Sequence, residues 1–317
     1  MTKYTREQKE AFLKMSLEDK IQRTKELILE WYLQYDGKVY VAFSGGKDST
    51  VLLHIARSIK TCKDIPAVFS DTGLEYPEVR EFVRSTDNVI WIKPKLTFKQ
   101  VIEKYGFPII SKSASGAIRK IRSPRCSERY RNKLLNGDER GSFGKLADKW
   151  KPLIQSDFKI DNRCCEIMKE NVTKAFGKST GMKGITGMLA SESNLRLIKY
   201  FEGDCNAFSN KRPQSNPLMF WSEQDILEYI VKFNIPIASI YGDIVRAPDG
   251  TLHTTGCQRT GCMFCMFGLH FDESPNRFER MKETHPKQYD YIMNKLGGKH
   301  VVEEYLKCAG KSTEFLE

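Results

Sequence analysis

The sequence lacks any apolar run that approaches the ~18 residues of a membrane-spanning helix. Its first residues, MTKYTREQKEAFLKM, contain no apolar core of the kind found in signal peptides. Internal repeats and low-complexity tracts are also missing, whereas hydrophobic residues make up 40% and aromatic residues 11% of the chain. These features exclude wholesale disorder, and they predict a cytoplasmic protein of 317 residues with no membrane partner and one large or two small domains.

Acidic residues are the minority among the charges. The chain has 40 Asp and Glu against 51 Lys and Arg, a net charge of +11 and an isoelectric point of about 9.1. This balance favours anionic partners such as nucleotides, nucleic acid or an acidic protein. Nine cysteines occur without a secretion signal, so metal ligands or redox thiols are a better interpretation than a disulfide scaffold.

Short apolar runs alternate with helical patterns along most of the chain. Apolar periodicity in residues 5–35 predicts one or two amphipathic helices. The predicted strands span residues 38–43, 65–71, 88–94 and 184–188. The later predicted helices span residues 48–59, 76–85, 97–105, 222–233 and 276–296. Such alternation is typical of βαβ units, so we expect an α/β fold with a doubly wound, mainly parallel sheet and helices on both faces.

The same patterns divide the chain into three predicted parts. These are a helical N-terminal extension (1–35), an α/β domain (36–250) and a Cys-rich loop with C-terminal helices (251–317). Residues 107–162 break the rhythm of the α/β domain, and the stretch from Lys112 to Lys133 carries eight basic residues and one acid. We expect a solvated charged excursion there, with a surface that binds nucleic acid or another polyanion as the alternative.

A glycine loop follows the first predicted strand and opens a helix. It reads Ser44-Gly45-Gly46-Lys47-Asp48-Ser49. Adjacent glycines let the backbone turn tightly and direct N–H groups at an anion, and the positive end of the next helix adds to that field. A Walker A loop requires Gly at position 41 and Ser or Thr at position 48, where this chain has Val41 and Asp48. The loop therefore predicts a phosphate site of another type.

The segment SGGKDS after a strand resembles the PP-loop of the ATP pyrophosphatases, also called adenine nucleotide α-hydrolases. Family members similar to this chain cleave ATP between the α and β phosphates. The resemblance implies a nucleotide-binding domain with the fold of that superfamily, with Mg-ATP as substrate. It also implies that the loop residues Ser44, Gly45, Gly46 and Ser49 bind pyrophosphate, and that Lys47 and Asp48 are catalytic.

Two further segments resemble the phosphoadenosine phosphosulfate (PAPS) reductase family within that superfamily. Asp71-Thr72-Gly73, followed by Glu75 and Tyr76-Pro77, is similar to the family's DTGxExPE segment. The resemblance implies that residues 71–73 lie at the nucleotide and that Asp71 faces ribose or Mg²⁺, with an ordinary Asp-Gly turn as the alternative. Glu192-Ser193-x-x-Arg196 looks like an ExSxxR segment, which implies that Arg196 contacts a phosphate or sulfate. A helix-start ion pair is the alternative there.

Five cysteines have spacings that suit a metal centre. Cys262-x-x-Cys265 is a turn that places two thiolates on one metal, and Cys257 lies five residues before it. Cys164 and Cys165 are adjacent, which is unusual for structural Zn²⁺. A CC pair with a distant CxxC resembles the iron–sulfur sulfonucleotide reductases, which implies that Cys164, Cys165, Cys262 and Cys265 ligate one [4Fe–4S] cluster. Cys257 stays open as a replacement ligand, and Zn²⁺ stays open as the metal.

The resemblance supports one leading function. The loop is intact, which favours ATP cleavage to AMP or an adenylate and pyrophosphate, followed by sulfur incorporation of the thiolation or phosphorothioation type. A cysteine desulfurase is then the expected sulfur donor. The oligomeric state is open, and a homodimer is one expectation.

Two alternatives stay open. An adenylylsulfate or phosphoadenylylsulfate reductase would use thioredoxin and a nucleophilic cysteine in an ECGLH-like tail motif, which this chain lacks. Cys308 is the candidate nucleophile, with a pKa lowered by the adjacent Lys307. A nucleotide-binding module with a structural metal, working in a nucleic-acid-associated complex, is the alternative of another class.

Overall fold

The computed structural model describes residues 3–139, 141, 144–209 and 212–317. It divides into two compact units. The first unit contains Met1–Asp71, Glu75–Lys93 and Val172–Gly261, and the second contains Thr72–Leu74, Pro94–Asn171 and Cys262–Glu317. The boundaries of these two units differ from the boundaries of the three predicted parts. No helix among the described residues is long and apolar enough to cross a membrane.

Ten strands and thirteen α-helices make up the regular structure of the described residues. The strands are β1 (Val39–Ala42), β2 (Ala67–Ser70), β3 (Val89–Ile92), β4 (Ile109–Ile110), β5 (Lys183–Thr186), β6 (Asn206–Ala207), β7 (Gln214–Ser215), β8 (Ile244–Arg246), β9 (Leu252–Thr254) and β10 (Met266–Phe267). The helices are α1 (Arg6–Leu13), α2 (Leu17–Gln34), α3 (Lys47–Ser58), α4 (Pro77–Arg84), α5 (Phe98–Lys104), α6 (Lys112–Arg122), α7 (Glu128–Asn136), α8 (Asn171–Thr180), α9 (Asn194–Glu202), α10 (Glu223–Phe233), α11 (Arg277–Thr284), α12 (Pro286–Asp290) and α13 (Gly298–Ala309).

Six strands of the first unit form one sheet in the order β3-β2-β1-β5-β7-β6. All neighbouring strands in it run parallel except β6 and β7. In this sheet, Val41 of β1 lies opposite Ala67 of β2 on one side and opposite Ile185 of β5 on the other. The expected α/β fold with a mainly parallel sheet flanked by helices is confirmed. As a consequence, the carboxyl ends of β1, β2 and β5 lie at one edge of the sheet, where ligands of such sheets bind.

The N-terminal helices belong to the core of the first unit. Leu27, Ile28 and Trp31 of α2 are buried in its main hydrophobic cluster, and Trp31 is fully buried. Lys20 of α2 forms a buried ion pair with Asp225 of α10, with 2.7 Å between Nζ and Oδ2. Burial of this apolar face stabilises the unit through the hydrophobic effect. The segment predicted as an extension is therefore part of the packing that supports the sheet.

The second unit contains the short parallel pair β4–β10 and mostly helices. The basic stretch from Lys112 to Lys133 lies on α6 and α7, and α6 buries one face that includes Ala117, Ile118 and Ile121. Arg122 donates hydrogen bonds to the main-chain carbonyls of four residues. The expected solvated excursion is thus a packed pair of helices, because an apolar stripe runs through the charges at helical spacing.

Trp31→Ala tests the contribution of α2. Truncation of this fully buried ring is expected to lower the free energy of unfolding by about 3–5 kcal/mol. Leu33→Ala is the matched control on the same helix, because Leu33 is 61% exposed and its loss is expected to cost at most ~0.5 kcal/mol. Urea denaturation of both variants measures the difference, and equal stabilities would show that α2 is dispensable.

Candidate nucleotide pocket and cysteine cluster

The glycine loop turns between the end of β1 and the start of α3. Gly45 has a φ of +71°, and a Cβ there would lie 2.7 Å from Val79 and 2.8 Å from Val83. Only glycine meets both demands. Ser49 closes the loop, since its hydroxyl accepts from the Ser44 N–H at 3.1 Å and donates to the Gly46 carbonyl at 2.9 Å. The loop therefore holds the N-terminus of α3 open towards a pocket, in the arrangement predicted for anion binding.

Lys47 begins α3 and is buried, with 5% of its side chain exposed. Its Nζ lies 2.9 Å from Oε1 of Glu223, at the start of α10. Its backbone N–H donates to the Tyr241 hydroxyl at 3.3 Å, and that hydroxyl lies 2.5 Å from the hydroxyl of Thr260. Residues far apart in the sequence thus position this lysine, and sequence reasoning missed Glu223, Tyr241 and Thr260 because such contacts leave no local pattern.

A cavity of about 670 Å³ opens over the loop within the first unit. Its lining comes from the loop, residues 189–192, Glu223, Tyr241 and residues 258–261. This volume falls in the ordinary range of small-ligand pockets. The pocket lies at the sheet edge where β1 ends, so its position agrees with the site predicted from the strand–loop–helix pattern.

A cluster of one carboxylate and two guanidinium groups lies at another side of the pocket, where Glu192 and Arg259 line it. Glu192 pairs with Arg196, as the predicted helix-start ion pair would, and with Arg259, whose Nη2 lies 2.5 Å from Glu192 Oε1. Ser193 caps α9, since its hydroxyl accepts from the Arg196 N–H at 3.3 Å. Arg259 was not among the predicted site residues. It lies between Cys257 and Cys262, which the sequence predicts as metal ligands.

The electrostatics of the pocket converge on Asp48. Burial raises the pKa of this carboxyl above 3.8, Lys47 opposes that shift, and Glu223 adds to it. Arg259 and Arg196 also lower it. Cations on both sides of the pocket therefore affect the pKa of Asp48. Such a position suits a residue that faces a ligand with several charges.

Residues 71–73 follow β2. The Asp71 side chain is 4% exposed and lies 3.0 Å from Nη2 of Arg80 and 3.9 Å from Nζ of Lys93. Thr72 and Gly73 are grouped with the second unit, where the Thr72 hydroxyl accepts from the Leu74 N–H at 3.2 Å. Gly73 has a φ of +73°, as a turn glycine has. The turn geometry predicted as the alternative is present, and the Asp71 carboxylate has two cationic partners.

Four of the five candidate metal ligands lie in the second unit. Cys164 and Cys165 precede the π-helical segment Glu166–Glu170, and the Cys265 N–H donates to the Cys262 carbonyl at 3.0 Å. Burial raises the pKa of the Cys164 thiol, and Cys165, Cys262 and Cys265 raise it further. The four thiols are thus close enough to interact electrostatically. Cys257 lies in the first unit, where it helps to raise the pKa of Tyr241.

The chemistry of the four thiols fits an iron–sulfur or zinc centre, since such centres take four cysteines. Across the described ranges, no group of three or more His, Cys, Asp or Glu side chains is arranged to hold a metal ion. All nine cysteines are free of disulfides.

Cys308 lies near the end of α13 and is half-buried. Burial raises the pKa of its thiol, and Glu304 raises it further. The prediction that Lys307 lowers this pKa is wrong. Nζ of Lys307 lies 2.8 Å from Glu303 and 3.5 Å from Glu304, so its charge is already balanced on the same helix.

Comparison with known families identifies the chain. A model of the phosphoadenosine phosphosulfate reductase domain matches residues 38–123 and 123–267. The chain belongs to this family. The predicted resemblance to this family is therefore confirmed.

Individual proteins are also similar to this chain. An uncharacterised protein of Methanocaldococcus jannaschii is 32% identical over 276 residues, covering 84% of this chain and 50% of that protein. The chain thus spans about half the length of this relative. An adenosine 5′-phosphosulfate reductase of Staphylococcus haemolyticus is 23% identical over 255 residues, covering 80% of each. A solved PAPS reductase of Candida auris, in complex with phosphate, covers 78% of this chain and 98% of its own at 15% identity, with a TM-score of 0.39.

Asp48→Asn tests the electrostatics of the pocket. Since burial raises the folded-state pKa of Asp48, the ionised carboxylate destabilises the fold as pH rises through and above 3.8. The Asn variant is therefore expected to melt at a higher temperature than the wild type at pH 7, with a difference that shrinks towards pH 4.

Asp249→Asn is the matched control with the opposite sign. Hydrogen bonds from Thr251 lower the pKa of Asp249, so its carboxylate stabilises the fold at neutral pH and loses that effect as pH falls. Melting temperatures of both variants from pH 4 to pH 8 provide the comparison. A lower melting temperature for Asp48→Asn at pH 7 would contradict the assignment.

Proposed function

We propose that the pocket binds Mg-ATP and cleaves it between the α and β phosphates, with transfer of AMP to a substrate oxygen that sulfur then replaces. One observation carries the proposal. The buried Lys47 stands at the start of α3, beside the glycine loop, Arg259 lines the same cavity, and Arg196 pairs with the lining residue Glu192. Cations and a helix N-terminus around one cavity suit a ligand with several phosphate groups.

The glycine loop and Lys47 would act on the leaving group. As an acceptor oxygen attacks the α-phosphorus, the bond to the bridging oxygen breaks and negative charge develops on the departing pyrophosphate. Loop N–H groups and the Lys47 ammonium are fixed before the reaction, so they stabilise that charge without rearranging. The contact between the Lys47 N–H and Tyr241 keeps the start of the helix in place.

The Asp48 carboxylate would help to hold Mg²⁺. Asp48 and Asp71 both offer a carboxylate for the ion, and the pairing of Asp71 with Arg80 and Lys93 favours Asp48. An oxygen ligand of this kind suits Mg²⁺, which otherwise keeps water and phosphate oxygens. When bound, the ion neutralises phosphate charge.

A [4Fe–4S] cluster would be held by the four cysteines of the second unit, namely Cys164, Cys165, Cys262 and Cys265. Cys165, Cys262 and Cys265 lie close enough to Cys164 to raise its pKa, and a bound cluster would take all four as thiolates. When bound, such a cluster supplies redox or electrostatic chemistry. The sulfur donor proposed for the second half of the reaction is a cysteine desulfurase.

Sulfonucleotide reduction is the second candidate, because the Staphylococcus haemolyticus relative is named an adenosine 5′-phosphosulfate reductase. It would require a nucleophilic thiolate and a thioredoxin-type reductant. The raised pKa of Cys308 leaves little thiolate at neutral pH, which favours the first candidate.

Lys47→Met tests the leading proposal. Anaerobically purified protein, given Mg-ATP and candidate acceptors, is expected to form AMP and pyrophosphate, as measured by chromatography of the nucleotides. Loss of the Lys47 ammonium is expected to lower the rate by about 10²–10³-fold, as for other fixed charge-stabilising groups. Lys60→Met, a change at an exposed lysine after α3, is expected to leave the rate unaltered.

The same preparation separates the two candidates. Release of sulfite from adenylylsulfate with a thiol reductant, abolished by Cys308→Ser and unaccompanied by ATP cleavage, would contradict the proposal and establish the reductase. Full turnover of Cys308→Ser would exclude that role for Cys308.

Single Cys→Ser variants test the proposed ligands. After anaerobic reconstitution with iron and sulfide, the wild type is expected to bind about four irons per chain and absorb broadly in the visible range. Replacement of any of the four second-unit ligands is expected to reduce iron content, whereas Cys257→Ser and Cys126→Ser are expected to retain it. Zinc retained in place of iron, or iron lost from Cys257→Ser, would contradict the assignment.

A further inference from the structure

The cations that line the pocket, Lys47 and Arg259, are paired with carboxylates of the same pocket. Lys47 pairs with Glu223, and Arg259 pairs with Glu192, which also pairs with Arg196 of α9. Phosphate binds to such groups through charge-assisted hydrogen bonds, which are directional and strong. An anionic ligand therefore competes with carboxylates that the protein itself supplies.

The two carboxylates differ in exposure. The Glu223 side chain is 54% exposed, so water screens its pair with Lys47. The Glu192 side chain is 19% exposed and lies between two guanidinium groups. Two oxygens bridging two arginines is the arrangement in which arginines bind a phosphate or sulfate group. Glu192 is therefore the stronger competitor.

We propose that Glu192 occupies the position of an anionic substrate group, and that a phosphate or sulfate entering the pocket displaces its carboxylate from Arg196 and Arg259. This inference rests on the proposed nucleotide-binding role of the pocket. It assigns Arg259 as an anion-binding residue beside Arg196. It also gives Glu192 a selective role, since a weakly charged ligand cannot replace the carboxylate.

The geometry allows this exchange with little backbone movement. The Arg259 side chain is 65% exposed, so its guanidinium can turn towards a ligand. The next residue, Thr260, is held by the Tyr241 hydroxyl at 2.5 Å. The backbone is thus anchored while the side chain is free to reorient, which preserves the pocket during exchange.

Two other roles for Glu192 predict different results. If its carboxylate only positions the two arginines, removal disorders them and weakens anion binding. If it holds Mg²⁺, removal leaves metal-free anion binding unaltered and weakens binding in the presence of Mg²⁺. Displacement alone predicts that removal of the negative charge tightens metal-free binding, because the ligand no longer competes with it.

The experiment is calorimetric titration of the full chain with inorganic pyrophosphate in the presence of EDTA. Glu192→Gln keeps the shape and one oxygen acceptor of the side chain. Its Kd for pyrophosphate is expected to fall about tenfold, the scale of one unfavourable charge contact. Glu223→Gln, the same change at the more exposed carboxylate, is expected to lower Kd by a smaller factor.

A double-mutant cycle assigns the effect to the guanidinium. Arg259→Ala is expected to weaken pyrophosphate binding, Arg259→Lys to restore part of it, and the gain from Glu192→Gln to shrink when Arg259 is absent. An unaltered or higher Kd for Glu192→Gln, or a gain that persists in full without Arg259, overturns the inference. Nucleotide that binds as described but is never cleaved contradicts the proposed function alone.

Discussion

Parallel pairing of β1 with β2 and β5 is the constraint on which the rest of the first unit depends. It fixes the carboxyl end of β1 at the middle of one sheet edge, and the chain has only four residues, 43–46, in which to turn before α3 begins. Gly45 makes that turn possible, because it adopts a positive φ and has no Cβ to collide with Val79 and Val83. The buried ammonium of Lys47 follows directly, so the site is a consequence of the sheet.

The positive and negative charges of the pocket are balanced. The chain carries a net charge of +11, yet the cations that line this cavity are matched by Glu192, Glu223 and Asp48. Unpaired cations crowded at one place would repel each other and lower stability. The carboxylates remove that cost, and in the proposed displacement they would also set how strongly charged a ligand must be to bind. Stability and selectivity would then arise from the same ion pairs.

Sequence alone predicted the features whose signal is local. The strands, the glycine loop and the Glu192–Arg196 pair are each contained in a few consecutive residues, and all three occur in the structure. Contacts of Lys47 with Glu223 and Tyr241 span 176 and 194 residues, and no periodicity reports such contacts. The error at Cys308 was avoidable, because Glu303 precedes Lys307 by four residues on one predicted helical face, the spacing at which such pairs form.

The segment that carries Arg259 and Thr260 ends the first unit at Gly261, and the next residue is Cys262 of the CxxC turn. A single peptide bond thus separates a residue that lines the pocket from a proposed ligand of the cysteine cluster. Surface loops usually tolerate insertions and deletions. This one has no spare length, because one added residue would shift either the arginine or the thiol out of position. We therefore expect related sequences to tolerate insertions in the turn at 247–251 and to keep constant the number of residues between Arg259 and Cys262.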